Sequence, residues 1–384
     1  MNPSRRRFIR VLGSTGVILA AGGVGLARCD GMPAAAIEAW EGPGDEPDSR
    51  RWALAHAILA PNPHNMQPWL VDLSGPDRID LYVDRTRLLP ETDPFGRQIL
   101  IGHGCFLELL ALAAGARGLQ ADIDYFPDGP MGADGLTEQR VATVTLVPAS
   151  TAPDPLHRHI LARRSNKEPY DTERPVLPDH LAVLAAVTLP AGQILRLESA
   201  PDRVARLREL TAEAMRIEMA TPRTLAESVD RTRIGAAEIA AHRDGIDLHG
   251  PFFWFARQAG LMTRDKAMTP GTLAHQGGLD YALGYMGSSM AFGWILADRA
   301  DRVAEVDAGR AYVRLNLAAT GVDLGMHPVS QLLQEYPEMA ASQRTFLDFV
   351  GVPAEGRVQM LFRMGYAPSP DPSPRRPLAD ILRG

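Results

Sequence analysis

Ala60-Pro61-Asn62-Pro63-His64-Asn65-Met66-Gln67-Pro68-Trp69 lies between two patterned segments and decides how the rest of the chain is read. The helical pattern from Arg51 to Ala60 must stop at Pro61-Asn62-Pro63, because proline brings no amide donor and restricts the residue before it. Beyond the loop, Trp69 to Leu73 and Ile79 to Val83 alternate as strands around the turn Ser74-Gly75-Pro76-Asp77. The prolines stiffen the loop, and Asn62, Asn65 and Gln67 put amides on it that can both donate and accept hydrogen bonds. Such a loop suits a ligand with a mixed donor–acceptor edge; it would also serve as an ordinary helix-to-strand connection with Trp69 in the core.

Further along, a helix is expected from about Ile99 to Ala116, with strands near Ala121 to Phe126 and Val141 to Val147. A proline-rich link covers 148–155. Helices follow around Leu156 to Ala162, His180 to Val187 and Asp202 to Met219. The stretch 220–277 is mixed and carries the aromatic run Phe252, Phe253, Trp254 and Phe255. Two more helices are expected, Leu279 to Asp298 and Asp307 to Thr320, then a strand from Arg357 to Phe362 and a proline-rich tail. Few strands among many helices predict an α+β fold, a sheet clothed in helices.

Two segments match at a constant spacing: Gly104, Leu110, Leu112, Ala113, Ala114 and Leu119 correspond to Gly309, Leu315, Leu317, Ala318, Ala319 and Leu324. Each match lies on an apolar helix that leads into a strand, so two related halves are expected, 51–150 and 156–384.

The chain has 384 residues, 45% of them apolar and 22% charged, enough to bury a large core. Its net charge of −6 gives no electrostatic reason to expect a nucleic acid or an anionic membrane as partner. No apolar run after residue 30 reads as long enough to span a bilayer. No His-Glu-x-x-His or comparable cluster marks a metal site, and no Gly-x-Ser-x-Gly elbow marks a serine nucleophile. Cys105, within an apolar helix, reads as packed.

The N-terminus reads as an address. Ser4-Arg5-Arg6-Arg7-Phe8-Ile9-Arg10 and the modest apolar run Val11 to Ala27 resemble a twin-arginine translocation signal. That route carries folded cargo, which implies the export machinery as a partner and a periplasmic destination. Residues 1–36 are assigned to the signal, with Gly25-Leu26-Ala27 and Ala34-Ala35-Ala36 as cleavage candidates, and 37–50 to a tether.

The loop at 60–69 resembles the Ala-Pro-Ser-x-x-Asn-x-Gln-Pro-Trp loop of the nitroreductase superfamily, with Asn62 in the usual Ser position. Arg163-Arg164-Ser165-Asn166-Lys167, followed by Tyr170, resembles that family's Arg-Arg-Ser-x-Arg-x-x-Phe segment, with Lys167 in the second Arg position. Gly321-Val322-Asp323-Leu324-Gly325-Met326-His327-Pro328-Val329-Ser330-Gln331 resembles the loop after its long helix. Phe349 to Tyr366 and Arg375-Arg376-Pro377-Leu378 resemble its closing stretch. In the common family the Arg-Arg-Ser segment precedes the Asn-Gln loop, and two subunits share each FMN. Here the order is reversed, which resembles the single-chain, Acg-like branch, where one polypeptide mimics the dimer; higher oligomers stay open.

The resemblance implies a nitroreductase-like α+β fold, one FMN, and a lid around 220–277. Its implied cofactor residues are Asn62, His64, Asn65 and Gln67 from the loop, and Arg163, Arg164, Ser165 and Lys167 around the phosphate and ribityl chain. Gly325, His327, Pro328, Val329 and Ser330 would lie by the reactive ring, and Arg375 and Arg376 in the tail. The flavin performs such redox chemistry, so no catalytic side chain is assigned. Two functions remain: an exported oxidoreductase passing electrons to a small electrophile of nitroaromatic or quinone class, or a protein that sequesters FMN without turnover.

Overall fold

The computed structural model describes residues 30–352 and 356–383. The translocation motif, the apolar run and the Gly25-Leu26-Ala27 site lie outside the described residues. The elements in order are α1 (Ala34–Ile37), α2 (Ser49–Ala57), β1 (Trp69–Asp72), β2 (Arg78–Val83), α3 (Arg97–Ala116), β3 (Leu119–Tyr125) and β4 (Arg140–Pro148), then α4 (Pro178–Ala185) and β5 (Gln193–Glu198). Next come α5 (Pro201–Ala220), α6 (Pro222–Asp230), β6 (Thr232–Ile234), α7 (Ala236–His242), β7 (Ile246–Leu248), α8 (Pro251–Gln258), α9 (Arg264–Met268) and α10 (Leu273–Gly287). The chain closes with β8 (Ala291–Ala297), α11 (Arg302–Thr320), β9 (Gly325–Pro328), α12 (Ala340–Val350) and β10 (Arg357–Gly365).

Two four-stranded sheets carry the fold, ordered β1-β2-β4-β3 and β5-β8-β10-β9, with every neighbouring pair antiparallel. The long helix enters each sheet at the same place, between the second and third strands in chain order: α3 in the first, α11 in the second. One difference separates them. β1 and β2 are joined by a tight turn, whereas α5 to α10 intervene between β5 and β8.

α3 and α11 pack against each other at the centre. Both start from carboxylates: Asp93 accepts from the amides of Gln98 and Ile99, and Asp301 accepts from that of Ala304. α3, contrary to the expectation that no such run follows residue 30, is long and apolar enough by composition to cross a membrane, but most of it is buried inside the protein. Cys105 is buried there, its thiol donating to the Gly309 carbonyl at 3.1 Å.

Three expectations need correction. The segment 279–298 is not one helix: α10 ends at Gly287, and Ala291–Ala297 is a strand. A fully buried strand has no polar face, so its apolar run reads like a buried helix until Gly287-Ser288-Ser289 is recognised as a break. The stretch 37–50 is no free tether. Residues 38–41 form a 3₁₀ turn, Trp40 is buried, and α2 begins at Ser49 behind the Asp48 cap. The signal boundary at 36 likewise falls inside the folded body, since the Arg375 amide donates to the Ala36 carbonyl at 2.7 Å.

Candidate functional site

The loop between α2 and β1 holds three non-glycine residues at positive φ, His64 (48°), Asn65 (52°) and Gln67 (51°), a run sustained only where the surroundings over-determine it. The surroundings are its own amides. Asn62 accepts from the Gln67 amide at 2.7 Å and donates to the Ala60 carbonyl at 3.1 Å. Asn65 donates to the Pro374 carbonyl at 3.0 Å and accepts from Arg375 Nη1 at 2.8 Å. Gln67, fully buried, donates to the Arg243 carbonyl and accepts from the Arg376 amide, both at 2.8 Å. The amides that suggested ligand groups therefore clamp the loop to the tail and to the segment between β5 and β8. The His64 side chain is not part of this clamp: its Nδ1 is out of solvent without a hydrogen-bond partner among the described residues. Burial, then Lys167 and Arg231, hold its pKa down to about 4.

Beside the loop lies a cluster of cations. Arg163 is fully buried, donating to Asn316 Oδ1 at 3.1 Å and the Leu59 carbonyl at 2.8 Å. Arg375 donates to the same Leu59 carbonyl at 3.2 Å. Half-buried Arg164 donates to the carbonyls of Leu161 and Arg163. All three guanidinium groups stand over the Trp40 ring, at 4.2 Å for Arg164, 5.0 Å for Arg375 and 5.5 Å for Arg163. None of them is ion-paired with a carboxylate among the described residues, and the Nε of each is buried without a partner. Burial lowers all three pKa values; for Arg375 the fields of Arg163 and Arg164 lower it further, with only Asp247 opposing. Asp371 opposes the shift at Arg164, but positive charge packed this closely without a salt bridge is costly unless an anion completes the site. Guanidinium groups at this density suit a phosphate.

Arg376 behaves differently. It faces Asp84 at 3.6 Å and donates to the carbonyls of Gln67 and Asp380, so it braces the loop. Ser165, half-buried beside Arg164, makes no side-chain hydrogen bond to a described residue, and Lys167 is exposed.

The third part is the edge strand β9. Gly325, Met326, His327 and Pro328 pair with Gly365, Met364, Arg363 and Phe362 of β10. Val329 is buried behind it, its amide donating to the Leu361 carbonyl, and Ser330 opens a 3₁₀ turn. Gly325 packs against protein: a Cβ there would stand 2.9 Å from the Gly365 carbonyl oxygen and 2.9 Å from the Tyr170 ring. The Asn166 amide donates to the Met326 carbonyl, tying the arginine segment to this strand. Arg163 and Arg375 meet at the Leu59 carbonyl beside the loop, and Arg363 joins the Asn166 carbonyl to His327, so loop, arginine segment and β9 come to one place.

Over this place lies the segment expected as a lid. Asp244 is paired with Arg87 and Arg233, and the Gly245 amide donates to the Asn65 carbonyl at 3.1 Å. Glu227 accepts from the amides of Glu91 and Thr92, both at 3.0 Å. Residues 30–41 form a strap that joins this segment to the tail. Asp30 accepts from the Ala236 and Gly250 amides, and Trp40 Nε1 donates to the Ser373 carbonyl. Sequence reasoning missed Trp40, Asn316, Asp244 and Arg363; only Trp40, a lone bulky aromatic in a supposed tether, left a usable signal.

A family model described as "Nitroreductase family" matches residues 160–366, just over half of the chain. Among curated proteins, the chain is similar to "Putative NAD(P)H nitroreductase Rv3131" of Mycobacterium tuberculosis, 28% identical over 347 residues, covering 86% of this chain and 90% of that one. It also resembles "Putative NAD(P)H nitroreductase acg" of the same organism, 36% identical over 76 residues, which is 20% of this chain and 23% of that one. Among solved structures it aligns with the FMN-dependent nitroreductase NfnB of Mycobacterium smegmatis in complex with NADPH. The identity is 17%, covering 59% of this chain and 96% of that one at a TM-score of 0.37.

Proposed function

Because this chain belongs to the nitroreductase family and has its α+β fold, we propose that it binds one FMN between its two sheets and works as a flavin oxidoreductase on a small electrophile. The observation that carries this reading is the largely buried cluster of Arg163, Arg164 and Arg375, none of them in a salt bridge among the described residues. Arg164 and Arg375 would hold the phosphate, with Ser165 beside them, while Arg163 anchors the segment to α11 through Asn316. His64, Lys167 and His327 would line the ring end. Bound there, FMN would supply two-electron redox chemistry between a donor and an acceptor such as a quinone or nitroaromatic. The chain's residues do the rest: the clamped loop fixes the site's shape, and the segment held by Asp244 keeps water out. Binding of FMN against riboflavin tests the carrying observation. FMN should bind at least ~100-fold more tightly, about 3 kcal/mol for charge-assisted phosphate bonds. Equal binding of the two would remove the arginine cluster from the site.

The chain also reads as an internal duplication that mimics a two-subunit family member, supported by the shared strand order and the common place of α3 and α11. Export by the twin-arginine route is proposed from Ser4 to Arg10. The docking of residues 30–41 supports cleavage after Ala27 over cleavage after Ala36, since the latter would cut away Asp30 and α1. A periplasmic enzyme meets no reduced-nicotinamide pool, so a quinol or a reduced protein is the proposed donor.

Sequestration without turnover is favoured by one observation: the covering segment bonds directly to the loop, through Arg243 to Gln67 and Gly245 to Asn65. Anaerobic addition of a quinol analogue or NADPH separates the two readings. Bleaching followed by reoxidation with a quinone means turnover; a flavin that also resists dithionite means sequestration.

A further inference from the structure

Arg363 of β10 lies directly opposite His327 of β9 in strand register, and it is wholly buried. Its guanidinium forms no salt bridge among the described residues, although the field of Glu168 reaches it. Nη1 donates to the Tyr285 carbonyl at 2.9 Å, and Nη2 to the carbonyls of Asn166 at 3.0 Å and Glu168 at 2.9 Å. The rings of Tyr170 and Tyr285 stack on it at 4.1 and 4.8 Å. Nε–H is left, and it donates to His327 Nδ1 at 3.0 Å.

That last bond fixes a proton. A guanidinium has donors and no acceptor, so the nitrogen it meets must offer a lone pair. Nδ1 is then unprotonated, the ring is neutral, and its single proton sits on Nε2. Nε2 makes no hydrogen bond to a described residue, although His327 is only 7% exposed. A donor left unpaired on a ring this nearly buried is a group that a ligand can use.

We infer that His327 offers a fixed, neutral Nε2–H as hydrogen-bond donor to an oxygen of the electron acceptor, a quinone carbonyl or a nitro group, and that Arg363 is the positioning residue that selects this tautomer. The inference rests on the flavin oxidoreductase reading. As the acceptor gains a hydride, negative charge gathers on its oxygen, and a donor already in place stabilises it without reorganisation. A neutral imidazole serves in this way elsewhere as an electrophile. The proton that finally neutralises the oxygen comes from water, because losing Nε2–H would leave an imidazolate. The groups acting on the ring agree: burial, then the cations Arg363 and Lys167, hold its pKa well below that of a free histidine. Tyr285, its ring 5.1 Å from that of His327, keeps its phenol proton because burial raises its pKa. The carboxylates acting on this side are Glu168, on Arg363 and Tyr281, Asp247, on Tyr281, and Glu218, on Tyr285.

Two readouts test it. In ¹⁵N-histidine-labelled protein, with and without FMN, the His327 ring should show a bare Nδ1 and a protonated Nε2 throughout pH 5–8. A protonated Nδ1, or a ring that titrates in this range, overturns the inference. In the holoprotein, His327→Leu should lower kcat/KM for a quinone by about 10–100-fold, while His327→Gln, which keeps a donor, restores most of it. Unchanged kinetics in His327→Leu overturn the donor role even if the tautomer is as inferred. FMN titration of the unaltered protein is scored separately, so failure of the flavin reading is seen on its own.

Discussion

Gly104 and Gly309 face one another where α3 crosses α11. A Cβ on Gly104 would stand 1.9 Å from the carbonyl oxygen of Val306, and one on Gly309 would stand 1.9 Å from that of Ile101. The contact is reciprocal, and the spacing between Gly104 and Gly309 equals that between Ile101 and Val306. Reciprocal contacts of this kind are what an isologous interface would show, and they support the proposed duplication.

Backbone at that distance cannot yield, so Gly104→Ala and Gly309→Ala should each destabilise by about 3 kcal/mol or more and by similar amounts. Gly115→Ala, on the same helix with open space around it, should be neutral or gain up to ~1 kcal/mol. Thermal unfolding of the three variants checks this. A silent Gly104→Ala would mean that the helices do not cross there.

The two neighbouring arginines should separate by function. Arg164→Ala should cost about 2–4 kcal/mol of FMN affinity and leave the apoprotein's melting temperature unchanged. Arg163→Ala should lower the apoprotein's stability by ~2 kcal/mol, because the Leu59 carbonyl and Asn316 lose a donor and a fully buried side chain is deleted. Calorimetry and flavin titration of both variants decide the assignment.

Much of this was legible in the sequence, and the gaps have physical reasons. The spacing that joins Gly104 to Gly309 was visible because small residues at a helix crossing are position-specific. The loop at 60–69 and the arginine segment were visible as motifs, but motifs name residue types, not directions. Asn62, Asn65 and Gln67 turned out to bind Ala60, Pro374 and Arg243, partners decided by the tertiary fold. β8 was hidden because a strand buried on both faces has no alternation. Arg363 carried no local signal at all. Its meaning comes from lying opposite His327, a pairing between strands 36 residues apart.

Trp40 should govern how fast the cofactor leaves. Its ring covers the three arginines and is held by Ser373. Trp40→Ala should speed FMN release by about tenfold, the worth of one to two kcal/mol of cation–π contact. A chain beginning at residue 37 should release it at least as fast, and one beginning at residue 28 should match the longer protein. Stopped-flow release after dilution into excess apoflavodoxin-type scavenger gives the rates.

His64 should make the protein more sensitive to acid. Its folded pKa, about 4, lies below the ordinary 6.5, so between these values the unfolded chain binds the extra proton. The associated stability is complete above pH 6.5 and is lost progressively as pH falls towards 4. Asp93, raised to about 6 by burial, opposes this: its folded form binds the proton first, which adds stability as pH falls below 6. The comparison of His64→Gln with the unaltered protein removes that shared contribution. The variant should lose stability less steeply between pH 6.5 and 4, and parallel curves would show that His64 titrates freely.

The most direct measurement is the flavin content of the purified protein, by visible absorbance and by chromatography of the released cofactor, with FMN added in excess during refolding if the preparation is colourless. One FMN per chain is predicted. A protein that stays colourless and takes up no FMN would contradict the account at its centre, and two per chain would contradict the single site built from Arg163, Arg164 and Arg375.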